Sequence, residues 1–254
     1  MIGQQANIDT ISNNLANVNT HGYKKMRADF EDLIYQTVKT AGTPATEDTV
    51  VPVGIQMGHG VRLASTQRVF SQGAPQNTDV PTDMAITGEG FFRIQMYDGS
   101  WAYTRNGAFQ VDSTGRLVTA NGYWVLPDII MPEGFLPQSI VVSQDGRVGV
   151  IVPEIDNEPI DIGQIELYRF PNPVGLTAVG ENLFKVSAAS GDAIAGRPGF
   201  EGFGQIRHKF LEMSNVEVVR EMVDLIVAQR AYEFNSRTIQ TSDNMLGTAT
   251  TLKR

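Results

Sequence analysis

The first segment of the chain carries Ile8, Ile11, Leu15 and Val18, spaced three, four and three apart. That is one narrow stripe of a helix. His21-Gly22 ends it, glycine being a favoured helix terminator. The same spacing predicts a second short helix from Met26 to Val38, with Met26, Phe30, Leu33, Ile34 and Val38 on one side. Residues 39–80 lose the period. Thr, Gly, Pro and Val dominate there, which predicts extended chain folded as one long hairpin.

From Asp83 to Phe203 short alternating or apolar runs follow one another: FFRIQM, AFQV, RLVT, YWVL, SIVV, VGVIV, IELYRF and LFKV. Asp98-Gly99, Asn106-Gly107, Asn121-Gly122 and Asp145-Gly146 separate them, and such pairs supply the positive φ of tight hairpins. The pattern predicts a compact antiparallel β domain rather than a βαβ fold. Phe91, Phe92, Tyr97, Trp101, Tyr103, Phe109, Tyr123 and Trp124 are expected to fill its core, with a sugar-binding platform as the lesser alternative.

Near Ser214 the helical period returns. Ser214 and Glu217 have the spacing of a capping box. Val216, Val219, Val223, Val227, Ala231, Phe234, Thr238, Thr241, Met245, Thr248 and Leu252 then recur on one face of a long, nearly straight helix without proline. The expected fold is α+β. Long N- and C-terminal helices pack as a coiled-coil-like pair, with an extended arm and an antiparallel β domain inserted between them. The expected segments are 1–38 and 209–254 as one helical domain, 39–80 as the arm and 81–208 as the β domain.

A narrow apolar stripe must be buried against something, and a helix as short as the first is marginal alone in water. The last helix also carries Val218, Met222, Leu225, Ile226, Ala228, Tyr232 and Ile239 off its main stripe. One partner helix covers one side only, so this surplus points to further copies of the chain. Composition agrees. From Met1 to Gly22 the only formally charged side chain is Asp9, while Asn7, Asn14 and Asn19 with Ser12 flank the seam. Such flanking sites often carry Glu or Lys. In a homopolymer like charges would stack and repel, and amides avoid that while still hydrogen-bonding. Capping and turn formation is the competing reading of the same asparagines.

A net charge of −8 argues against nucleic acid as a partner, since phosphate binding needs a basic face. The absence of cysteine excludes disulfides, thiolate metal sites and cysteine nucleophiles. No apolar run has the length of a membrane span, and the opening MIGQQANIDT lacks the pattern of a cleavable secretory signal. His21, His59 and His208 are scattered without metal-ligand spacing. Gly199–Gly204 is glycine-rich but has no dinucleotide spacing, and Gly54, Gly58 and Gly60 fit a bend in the arm. Asp79, Asp83 and Glu89 are the carboxylates from which a glycoside-cleaving pair would be drawn. No catalytic residue, cofactor site or metal site is assigned.

Three segments carry a family resemblance. SNNLANVNTHGYKK near the start is one, and DMAITGEGFFRIQMYDGSWAYTRNGAFQVDSTGRLVTANGYWVL is the second. The third is LEMSNVEVVREMVDLIVAQRAYEFNSRTIQTSDNMLGTATTLKR, with its AQRAYE and SDNML pieces. In this order they resemble the bacterial flagellar basal-body rod and hook proteins. VGIQMGHGVRLASTQRVFSQGAPQNT, FPNPVGL and the closing LKR resemble a rod member more than a hook member. The resemblance implies a non-enzymatic subunit of a hollow, helical, torque-transmitting shaft in the basal body. Terminal helices would line its channel and the arm and β domain would form outer layers, the arm at residues 43–66 stiffening the shaft. Implied partners are copies of itself, proximal rod, hook and bushing-ring proteins and the export apparatus, with no nucleic acid and no membrane insertion. Implied location is the periplasm-spanning rod, reached without a cleaved signal.

Assembly contacts are expected at Ile8, Ile11, Asn14, Leu15, Asn17, Val18, Asn19 and Gly22, and at Val219, Met222, Val223, Ile226, Ala231, Phe234, Met245 and Leu252. Arm contacts are expected at Val53, Ile55, Met57 and Val61. A hook or proximal rod subunit is the alternative within the family, and a secreted β-rich glycan-binding or glycan-cleaving protein the alternative outside it. Two departures stand out. Family members usually carry further N-terminal residues ahead of the stretch matching Ile2-Gly3. Arg207-His208-Lys209-Phe210 occupies a place where a glycine-containing turn is commoner.

Overall fold

The computed structural model describes residues 1–42, 44–46, 49–50, 52–132, 134–151 and 160–252. The chain divides into two compact units. The first comprises Met1–Leu15, Met26–Gln67 and Val218–Arg254, the second Ala16–Lys25 and Arg68–Glu217. The architecture is α+β, with a helix near each end and strands that pair mostly antiparallel.

The first unit holds helix α1 (Ile2–Ala16), helix α2 (Val218–Leu252) and a series of two-stranded pairs. Met26–Asp32 pairs with Val61–Arg68, Gln36–Lys39 with Ile55–Met57, and Pro44–Thr46 with Thr49–Val50. The helix expected from Met26 to Val38 is therefore not formed. Met26, Ala28 and Phe30 alternate with Arg27, Asp29 and Glu31, and this period of two prevails over the helical spacing. The Asp29 carboxylate accepts from Arg27 Nε at 3.0 Å and Gln67 Nε2 at 2.7 Å, and Glu31 pairs with Arg62. The Gln67 and Arg62 links cross between the two strands and support their pairing. α1 begins against this ribbon: a Cβ on Gly3 would lie 3.3 Å from Val61 Cγ2 and 3.5 Å from Phe30 Cε1. The hairpin expected over 39–80 thus begins earlier, at Met26. Its far end leaves it, because Pro75–Asn77 pairs with Phe210–Glu212 in the second unit. Residues 43, 47, 48 and 51 of the arm lie outside the described residues.

The second unit is built on a seven-stranded antiparallel sheet. Its order is Phe109–Val111, Leu117–Thr119, Trp124–Leu126, Phe92–Gln95, Trp101–Thr104, Leu183–Lys185, Thr177–Gly180. A three-stranded sheet (Val141–Val142, Arg147–Val150, Ile160–Gln164) joins it. The run expected to end at Val152 is strand to Val150, and Val152 itself lies outside the described residues. Met84, Ile86, Phe92, Ile94, Phe109, Val148, Ile165 and Ile206 form the dry centre. A second cluster packs Phe91, Tyr103, Phe170 and Phe184 edge to face, an arrangement aromatic rings favour, with Tyr168 tilted against Tyr103. Tyr97, Trp101 and Trp124, expected in the core, are exposed instead.

Gly99, Gly122 and Gly146 turn their hairpins at positive φ, as the Asp-Gly and Asn-Gly pairs predict. Gly107 works otherwise. It needs no left-handed φ, but a Cβ there would fall 1.6 Å from the Met84 carbonyl oxygen, so close backbone approach is what requires glycine.

The C-terminal helix expected from residue 209 starts at Val218, since Phe210–Glu212 is strand. The Ser214–Glu217 capping box is therefore not formed, and the Ser214 hydroxyl has no partner among the described residues. Asn215 organises the approach instead. Its Oδ1 accepts the Lys25 N–H at 2.8 Å, and its Nδ2 donates to the Val69 carbonyl at 2.8 Å. Among the described residues no helix is long and apolar enough to cross a membrane.

Candidate assembly interface

α2 divides into two faces. Glu221 and Ala228 are buried, and Val218 and Leu225 are half-buried beside them at helical spacing. The longer apolar stripe points elsewhere. Val219 is 77% exposed and Phe234 65%, and Val223, Val227 and Met245 are exposed with them. Met222 and Ile226 are exposed too, and Ala231 is half-buried. From residue 229 to 251 no residue of α2 is buried. Leu252 ends the helix, and its side chain lies outside the described residues. The sequence thus identified the helix correctly, but its strongest stripe is the uncovered face. Several threonines there, Thr238, Thr241 and Thr248, donate their hydroxyls back to the carbonyl four residues earlier, which satisfies them without a neighbour.

α1 buries Ile11 and Asn14, half-buries Ile8 and Leu15, and is followed by half-buried Asn17 and Val18 and exposed Asn19. Asn14 is 2% exposed. Its Nδ2 donates to the Met26 carbonyl at 2.8 Å and to Glu221 Oε2 at 3.2 Å, and its Oδ1 accepts the Met26 N–H at 2.8 Å. The amide thereby pairs with Met26 as a neighbouring strand would, using its donor and its acceptor at once. Asn17 Oδ1 accepts from the Thr20 hydroxyl at 3.2 Å. Gly22 has φ 69°, and a Cβ on it would lie 2.6 Å from the Asn106 nitrogen. Its N–H donates to the Glu212 carbonyl at 2.8 Å. Asn14 and Gly22, both expected at subunit contacts, are occupied within the chain. In the arm Val53, Ile55, Met57 and Val61 are all exposed, and so is Ile34 before them.

Sequence spacing missed a buried ionic cluster in the second unit. Lys24 Nζ lies 2.6 Å from Glu212 Oε1 and donates to the Ser71 carbonyl at 2.7 Å. Arg105 Nε lies 3.0 Å from Glu212 Oε2, and its Nη1 donates to the Gly88 and Gly90 carbonyls. The Gly73 N–H also donates to Glu212. One carboxylate so bonded holds two cations out of water. Burial pulls the Lys24 ammonium below its ordinary pKa, Glu212 pushes it back up, and Arg105 lowers it further. The only clue in the sequence was a lysine pair just after a helix stop.

The remaining candidates are placed as follows. Asp83 is buried, accepts from the Thr78 hydroxyl at 2.6 Å, and is pushed above the usual carboxylate pKa chiefly by that burial. Asp79 takes a turn at φ 57°, and exposed Glu89 pairs with Arg169 at 3.8 Å. Gly199–Gly204 closes a turn through Gly199 N–H to the Gly204 carbonyl at 2.9 Å. Among the described residues no three His, Asp or Glu side chains gather as a metal site requires.

Comparison with known proteins extends along nearly the whole chain. Three family models match: "Flagella basal body rod protein" over residues 1–24, "Flagellar hook protein FlgE/F/G D1 domain" over 85–150, and "Flagellar basal body rod FlgEFG protein C-terminal" over 207–252. The chain is 59% identical to the flagellar basal-body rod protein FlgG of Borreliella burgdorferi, covering 100% of this chain and 96% of that one. It is 48% identical to FlgG of Buchnera aphidicola (subsp. Schizaphis graminum), over 96% and 92% of the two chains. To FlgG of Caulobacter vibrioides it is 44% identical, over 100% and 96%. The exposed helical stripe, the strand-rich middle and these full-length matches agree: the chain belongs to the flagellar basal-body rod protein family, as one of its structural, non-enzymatic subunits.

Proposed function

We propose that this chain is the subunit of the distal rod, polymerising helically into a rigid hollow shaft between the proximal rod and the hook. Membership of the family carries polymerisation and assembly with other basal-body and hook proteins. The observation that carries the finer reading is the apolar stripe of α2. Val219, Val223, Val227, Phe234 and Met245 face solvent in a single chain, and only neighbouring copies remove that surface from water. In the polymer α1 and α2 pack as a coiled-coil-like pair around the channel. The exposed arm residues Val53, Ile55, Met57 and Val61 meet neighbouring copies and stiffen the shaft. The β unit faces outward, toward the bushing ring. The subunit leaves through the flagellar export apparatus without a cleaved signal and works where the rod spans the periplasm.

Electron microscopy of concentrated protein tests this. Straight rigid tubes are expected, and Ile226→Asp should abolish them while leaving the β unit folded, because Ile226 is exposed in the free chain. Curved flexible filaments would make it a hook-like subunit, and unimpaired tubes from the variant would overturn the assigned contact face.

A further inference from the structure

The sheet face that sequence reading placed in the core carries an open aromatic row. Trp101 and Trp124 are both register partners of Gln95, one on each neighbouring strand. Residues directly opposite share a face, so the order across three strands is indole, amide, indole. Trp101 is 56% exposed and Trp124 44%. Arg93 stacks its guanidinium 5.0 Å from the Trp101 ring centre, and Arg116 does the same at 5.0 Å on Trp124. Each indole is thereby held by a guanidinium and still exposes about half of its surface. Beside the row lies a cleft of about 150 Å³ lined by Gln95, Met96, Tyr97, Gly99, Gly122 and Trp124. None of these six is charged. The Gln95 amide, half-buried at the cleft, makes no hydrogen bond among the described residues.

We propose that this row binds an uncharged chain of β-1,4-linked N-acetylhexosamine. Two strand spacings separate the indoles by about 9–10 Å, which matches the disaccharide repeat of such a chain. Alternate pyranose rings then present their C–H faces to Trp101 and Trp124. The free amide of Gln95 offers one donor and one acceptor, the complement of an acetamido group lying between the two rings. Met96 supplies apolar contact for its methyl. The six residues that line the cleft are neutral, which suits a neutral ligand, and the Arg93 and Arg116 guanidiniums are taken up against the indoles. This site is separate from the helical contact face and does not depend on it.

The chain contains only two tryptophans, both in this row, so its indole fluorescence reports on nothing else. The full chain is titrated with the β-1,4-linked hexamer of N-acetylglucosamine, with maltohexaose as the α-linked control. A saturable blue shift with the β-linked sugar alone is expected. Trp101→Ala and Trp124→Ala, each read on the remaining indole, should weaken binding at least about tenfold with an unchanged unfolding midpoint, and Gln95→Ala should weaken it less. No saturable shift, or an equal response to the α-linked sugar, would overturn the proposal. So would an indole shift that follows protein concentration without sugar, which would assign the row to contact between copies.

Discussion

Asn14 and Glu221 stand 207 positions apart in the chain and are joined by a hydrogen bond of 3.2 Å between their side chains. The same amide spans the N–H and carbonyl of Met26, so one side chain connects helix, strand and helix. Its removal takes both hydrogen bonds from the half-buried Met26 backbone and one from Glu221. Asn14→Ala should cost about 1–3 kcal/mol, the cost of leaving such backbone groups unsatisfied. Asn19→Ala, at an exposed position, should stay within about 0.5 kcal/mol. Urea unfolding followed through amide signals of α1 distinguishes the two.

Among the described residues, Glu212 is the one carboxylate of the buried cluster with Lys24 and Arg105. Glu212→Gln leaves both cations buried without a counter-charge and should cost about 3–5 kcal/mol. Lys24→Met should cost less, because Arg105 still meets the carboxylate. Thermal unfolding of both variants should give that order. An equal loss would mean that Lys24 packing, not charge balance, governs the cluster.

Lys209 sits at φ 63°, a left-handed conformation that costs a non-glycine residue about 1–2 kcal/mol. Glycine relieves this but loses more entropy on folding. Lys209→Gly should therefore raise stability by no more than about 1 kcal/mol, and Lys209→Val should lower it, β-branched residues tolerating this region worst. Calorimetry reads both. The place where the sequence departs from a glycine-containing turn is thus still built as one.

His208 Nε2 lies 2.8 Å from the Pro81 carbonyl oxygen. Burial pulls its pKa below the ordinary imidazole value, the Pro81 carbonyl works against this, and Lys209 adds to it. The unfolded chain therefore takes up a proton near pH 6.5 before the folded one does. Stability from this residue is complete above that pH and falls as pH drops toward the folded pKa. His208→Gln keeps a donor for Pro81 without the titration. Its urea midpoint should fall less than that of the parent between pH 7.5 and 5.5.

How much of this was legible in the sequence depends on the range of the interaction. α1, α2 and the strand-rich middle follow from local periodicity, and Gly99, Gly122 and Gly146 from turn chemistry. Met26–Asp32 was misread because five apolar residues over thirteen positions satisfy a helical template, while the period of two at its start is shorter and weaker. Tyr97, Trp101 and Trp124 were placed inside because composition favours it; the face of a strand is settled by its partners. The face of α2 that is buried went to Val218, Leu225 and Ala228 rather than to the longest stripe, since a repeating pattern names a face without saying what covers it. Asn14, Lys24, Arg105, Glu212 and Asn215 act across long separations, and no spacing rule reaches them.

The far half of α2, with no buried residue from 229 to 251, ties order to company. A helix so little covered is held mainly by weak intrinsic propensity, and in the proposed rod each newcomer would settle its tail among tails already in place. Two stray molecules offer each other little, whereas a seeded end offers a prepared socket. Elongation then outruns spontaneous initiation, and a tube grows where one has begun.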